Sequence, residues 1–142
     1  MPCKILLPVD GSEGSLRAAR HVADCMAHVS ELEVHLVNVQ PRADDWQVRR
    51  LLKPEELAAM EAEWAEDTLA PARTLLDQAG ARSQTHIVQG EVAESIARLA
   101  TELGCDQIVM GTHGRGALGD LLMGSVASQV LHHARVPVTF VK

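Results

Sequence analysis

A chain of 142 residues, 46% hydrophobic and 23% charged, is sized for a single domain over residues 1–142 that closes its core without metals or disulfides. A formal net charge of −6 opposes nucleic-acid binding by phosphate neutralisation and attraction to anionic membranes, and three aromatic residues, Trp46, Trp64 and Phe140, nearly exclude base-stacking platforms. The three cysteines, Cys3, Cys25 and Cys105, have neither CxxC spacing nor zinc-finger histidines, which argues against a disulfide framework or structural metal and for a reducing, cytoplasmic compartment.

The first apolar run, Lys4 to Val9, stops at Asp10, too short for a signal-peptide core or a membrane span, and reads as a strand. Ser12 follows as the N-cap of a helix whose Leu16, Ala19, Ala23, Met26 and Ala27 share one face. Glu33 to Val39 is a second strand. The polar stretch from Pro41 to Lys53, with Trp46 and Arg49-Arg50, reads as a flap, a linker or an ordinary surface loop. Pro54 opens an acidic, alanine-rich helix toward Gly80, which Pro71 should kink or split by removing a backbone donor. Ser83 to Val88 is a third strand, and Ile96, Leu99, Ala100 and Leu103 mark a helix that ends before Gly104. Gln107 to Gly111 and Val136 to Val141 complete five strands. His132 and His133 suit the last turn of a helix, where cations meet the negative dipole end.

Strands alternating with helices imply parallel pairing and right-handed crossovers, hence an α/β three-layer sandwich. Ligands bind such sheets beyond the carboxyl ends of the strands, where the strand order reverses. The loops after Val9, Val39, Val88 and Gly111 are therefore the informative ones. The third strand ends without an aspartate, which sets aside a phosphoacceptor receiver domain.

The loop after the fourth strand carries five glycines between Met110 and Val126. Glycine permits positive φ and close backbone approach, so such a loop can present a nest of N–H donors to phosphate oxygens. Gly124-Ser125 can open a new helix whose amides face the same loop. Two familiar phosphate motifs fail here. Gly114 to Gly119 matches GxGxxG but lacks the acidic residue about 20 positions on, and Ala117 stands where a Walker A loop needs lysine. Asp10 is open to two readings, a partner for a ligand hydroxyl or a turn residue ahead of Ser12. His113 and Arg115 are candidates for phosphate contact, or equally solvated loop side chains.

Gly111, Gly114, Gly124 and Ser125 match Gly-x2-Gly-x9-Gly-[Ser/Thr], and with Ile5 to Ser12, Val37-Asn38-Val39 and Val136 to Val141 the chain resembles the nucleotide-binding branch of the universal stress protein family. That resemblance implies a Rossmann-like five-stranded parallel sheet in the order 3-2-1-4-5, of the adenine nucleotide alpha hydrolase-like kind, with bound ATP. It puts Pro8, Val9 and Asp10 on the adenosine side, Asp10 at the ribose and the Val39 backbone at the adenine edge. Met110 and Gly111 then lie beneath the sugar, and Gly114, Gly124, Ser125 and Val126 hold the phosphates, with Thr112, His113 and Arg115 beside them. One departure is Val92, where the family often has proline two residues after the glycine at position 90.

A site with backbone donors, no Walker lysine and no obvious general base should hold ATP more readily than cleave it, with Mg²⁺ or Mn²⁺ held mainly by the phosphates. No catalytic residue or protein metal ligand is assigned. Slow hydrolysis or autophosphorylation, with Ser125 the first acceptor, is the upper expectation. The resemblance also implies a homodimer through Val136 to Val141, an edge strand apolar on both faces, and a regulatory role in stress read by an unidentified partner. The alternatives are a true ATPase or phosphotransferase, and a dimeric interaction module whose pocket is vestigial.

Overall fold

The computed structural model describes residues 2–29, 31–41, 51–113 and 123–142. Among the described residues nine elements follow in chain order: β1 (Cys3–Pro8), α1 (Glu13–Cys25), β2 (Leu32–Gln40), α2 (Pro54–Gln78), β3 (Arg82–Gln89), α3 (Val92–Glu102), β4 (Gln107–Gly111), α4 (Ser125–His133) and β5 (Val138–Val141). The strands form one parallel sheet in the order β3-β2-β1-β4-β5, as expected.

Central β1 is covered on both faces, so its side chains are apolar without alternation. Leu7 joins Val34 and Leu36 of β2 beneath Val22 of α1 and Leu69 and Leu76 of α2. Leu6 points the other way, joining Val37 and Ile108 beneath Ile96 of α3 and Val130 of α4. Two cores on the two faces of one sheet make the three layers. Because β1 is flanked by β2 on one side and β4 on the other, the chain reverses direction across the sheet at β1, leaving a crevice at the carboxyl ends.

Ser12 caps α1, its Oγ accepting from the Ser15 N–H at 3.2 Å. Helix α3 ends as expected, with Leu103 as C-cap and Gly104 just beyond it at φ 68°. Two expectations are corrected. Helix α2 runs unbroken through Pro71. Pro71 and Asp67, whose carbonyl loses its partner, both lie on the exposed face within reach of solvent, while Ala65, Leu69, Ala72 and Leu76 hold the helix to the sheet on either side. Strand β5 starts at Val138 rather than Val136, since Pro137 has no N–H and contributes to the ladder only by accepting from Ile108 N–H at 2.9 Å. The 42–50 part of the Pro41 to Lys53 excursion lies outside the described residues.

Candidate functional site

The site is built where β1, β2 and β4 end. Leaving β1, the chain turns at Gly11, whose φ of 83° suits glycine, and enters α1 through Ser12. Asp10 Oδ1 accepts from the Ser12 N–H at 2.9 Å, so the carboxylate closes this turn. Asp10 also lines the cavity, and the two sequence readings of it are compatible in one position. Beside it Asn38 of β2, only 8% exposed, donates from Nδ2 to the Val9 carbonyl at 2.9 Å. Val9 N–H continues the ladder to Val37 O at 2.8 Å, so Val9 is pinned through both backbone groups.

At the end of β4 the backbone of Gly111 crosses that of Gly14 in α1. A Cβ at Gly111 would come within 2.7 Å of the Gly14 backbone, and one at Gly14 would collide with the His113 carbonyl. Close approach therefore requires glycine at Gly111 and Gly14, while Gly111 and Gly124, unlike Gly11, do not have positive φ. The next residues are held by Thr112 N–H to Val141 O at 3.2 Å and Gly124 N–H to Thr112 O at 2.6 Å. Thr112 Oγ1 and His113 Nδ1 lie 3.0 Å apart, which orients the imidazole.

Helix α4 starts from Gly124, which supplies no side-chain cap. Its first intrahelical bond is Ser128 N–H to Gly124 O, so the amides of Ser125, Val126 and Ala127 have no acceptor within the helix. These amides, aligned with the positive end of the helix dipole, form the anion-seeking end of the site.

The remaining wall comes from α2. Its Glu61, Trp64 and Thr68, three and four residues apart, share a helical face beside the buried Ala65 and Ala72 and line the cavity. The Gln40 side chain donates to the Glu61 carbonyl at 2.9 Å, and Gln89 donates to the Glu61 carboxylate, tying this turn of α2 to the ends of β2 and β3.

Together these elements enclose a cavity of about 570 Å³. Of the residues expected from sequence, Pro8, Val9, Asp10, Val39, Met110, Gly111, His113, Gly124, Ser125 and Val126 line it. Thr112 does not, being buried and turned to His113. Gly114 and Arg115 lie outside the described residues. Asn38, Gln40, Glu61, Trp64, Val92 and Ile96 also line it, residues that no motif in the sequence marks as part of the site. Val92 begins α3, whose N-cap Glu91 accepts from the Ala93 and Glu94 amides, so proline is not needed there to start the helix.

Other polar groups stand elsewhere. On β2 and β3, His35 Nδ1 lies 2.9 Å from His86 Nε2, and His35 Nε2 lies 3.1 Å from Glu33 Oε1. Burial, then the neighbouring His35, lowers the His86 pKa below 6.5, and burial raises that of Cys105. Among the described residues no three His, Cys, Asp or Glu side chains converge as a metal site, and no helix is long and apolar enough to cross a membrane.

The chain is similar to known proteins over nearly its whole length. It is 36% identical over 141 residues to a Thermus aquaticus universal stress protein, covering 97% of each chain. The structure of MJ0577 from Methanocaldococcus jannaschii superposes with a TM-score of 0.85 at 32% identity, covering 100% of this chain and 96% of that one. A universal stress protein from Archaeoglobus fulgidus, solved in complex with dAMP, shares the fold at a TM-score of 0.70 and 23% identity, covering 100% and 98%. The sequence profile of the universal stress protein family matches residues 1–142, and the chain belongs to that family.

Proposed function

We propose that this universal stress protein binds ATP in the cavity and acts as a cytoplasmic regulatory homodimer whose nucleotide state is read by a partner. The observation that carries the reading is the polarity of the cavity. It runs from apolar side chains at the end of β2 to the unpaired first-turn amides of α4, and so matches a ligand with an apolar plane at one end and an anion at the other. The dAMP complex of the Archaeoglobus relative supports the ligand class.

In this reading the Val39 backbone meets the adenine edge and Asp10 the ribose, while Met110 and Gly111 pass beneath the sugar. Gly114, Gly124, Ser125 and Val126 hold the phosphates, with Thr112 fixing His113 and with His113 and Arg115 beside them. Mg²⁺ or Mn²⁺ enters with the nucleotide, bound mainly by phosphate oxygens and water. Amide donors that contact ground-state phosphates stabilise binding and transfer alike, so turnover is at most slow hydrolysis or autophosphorylation.

Mass spectrometry of the nucleotide released on denaturing freshly purified protein, with calorimetric titration of Mg-ATP, tests the reading. Stoichiometric ATP or ADP, or micromolar binding lost in Gly114→Val, is expected. No nucleotide and no heat up to millimolar ATP would reject it in favour of an interaction module with a vestigial pocket. Labelling by γ-phosphate-labelled ATP that maps only outside residues 111–128 would reject Ser125 as acceptor.

A further inference from the structure

We propose that Trp64 is the stacking wall for the base of the bound nucleotide, making α2 the element that selects an aromatic base; this rests on the nucleotide reading above. Trp64 lines the cavity yet is 62% exposed. Among the described residues nothing packs over the greater part of this indole, so a broad π-face is left open to the cavity it lines. The core-facing stripe of α2 is Ala65, Leu69, Ala72 and Leu76, to which Trp64 does not belong. Phe140, the other tryptophan-or-phenylalanine side chain among the described residues, packs into the core beneath α3 and α4.

Placement also fits. Helix α2 packs on β2 and β3, whereas the α4 amides sit beyond β4. With strands about 4.8 Å apart, the ends of β2 and β4 are separated by about 10 Å across β1. A nucleoside polyphosphate spans that distance, with its base toward α2 and its phosphates at α4. The wall is held in register by two hydrogen bonds to Glu61, one turn before Trp64, from Gln40 and Gln89. Val39, Val92 and Ile96 supply apolar surface in the same cavity. A flat π-face against these aliphatics accepts a purine ring by stacking and offers nothing to a base-free polyphosphate.

Trp46 is the only other tryptophan, so the Trp46→Phe protein reports Trp64 alone. ATP should quench and shift its emission, and tripolyphosphate should not. By calorimetry, Trp64→Leu should bind ATP about tenfold or more weakly and tripolyphosphate as tightly as wild type, with Trp64→Phe recovering most of the loss. Thermal melts of both variants establish that they fold, as the exposure of Trp64 leads one to expect. ATP binding that is equal in wild type and Trp64→Leu, or ATP and tripolyphosphate weakened equally, overturns the wall and leaves the nucleotide reading standing. Trp64 emission that follows protein concentration but ignores bound ATP overturns it too, assigning the indole to a contact between copies. A wild-type protein with no ATP binding at all overturns both readings together.

Discussion

At the scale of single residues, the site depends on a few polar side chains that hold backbone in place rather than reach for a ligand. Asn38 is the clearest. Its buried amide satisfies the Val9 carbonyl, and Val9 is the last ladder residue before Asp10 turns into α1. Asn38→Ala leaves that carbonyl buried without its side-chain partner, at a cost of about 1–3 kcal/mol. Denaturant melts should show the lost stability, and calorimetry a weaker ATP interaction, because Val9, next to Asp10, loses one of its two ties to β2. Asn38 is visible in the sequence as one polar residue amid Val37 and Val39, but its role is not, since a strand asparagine acquires a meaning only when the register places Val9 beside it.

The same scale carries a pH prediction. Desolvation and His35 both lower the His86 pKa below the 6.5 of the unfolded chain. Between the two values the unfolded state therefore binds more protons. The stability contribution is whole above pH 6.5 and falls as pH drops below it, levelling beneath the folded-state pKa. Urea midpoints measured from pH 7.5 to 5 should decline for wild type, and His86→Gln should flatten that part of the decline. An unchanged slope would deny His86 this role.

At the scale of elements, α4 shows how a helix start becomes chemistry. Ser125 is its first residue and Gly124 before it has φ −70° and ψ 167°, a conformation that a following proline accepts. Ser125→Pro therefore removes one amide donor and the hydroxyl while suiting the first helical position. Ser125→Ala removes only the hydroxyl. If the amides bind phosphate, Ser125→Pro should weaken Mg-ATP binding by about tenfold or more, as expected for a charge-assisted hydrogen bond, and Ser125→Ala by far less, both with unchanged far-ultraviolet circular dichroism. Equal affinities would move phosphate recognition away from this helix. The five strands, the Ser12 cap and the Gly124-Ser125 start are legible in sequence because each is set by neighbours a few residues away. The α2 wall is not, because Glu61 and Trp64 reach the site only once Leu69 and Leu76 have docked their helix on the sheet. Pro71 misleads for the same reason: local chemistry predicts a break, and core contacts on both sides override it.

At the scale of the whole molecule, an open sheet has two edge strands, here β3 and β5, at which a further strand can add unless the edge is protected. The two edges differ. Strand β3 exposes Arg82, Gln84, Thr85 and Gln89, polar groups that discourage a second strand, with Ile87 the one large apolar side chain exposed among them. Strand β5 is Val138, Thr139, Phe140 and Val141, all half-buried, with Val138 and Phe140 packed in one core and Val141 against the other. Its inner edge is committed to β4, as the Pro137 and Val141 carbonyls both accept from that side. In a parallel ladder the alternate residues Val138 and Phe140 then turn their backbone groups outward, toward any second copy. An antiparallel twofold contact satisfies those groups on both copies with one surface. Light scattering at micromolar concentration should therefore return the mass of two chains. Thr139→Lys brings two like charges near the twofold axis at the cost of one hydrogen bond to Gln107, and should move the equilibrium to monomer while the melt shows a folded chain. A wild-type monomer, or a dimer indifferent to Thr139→Lys, would take the interface off β5.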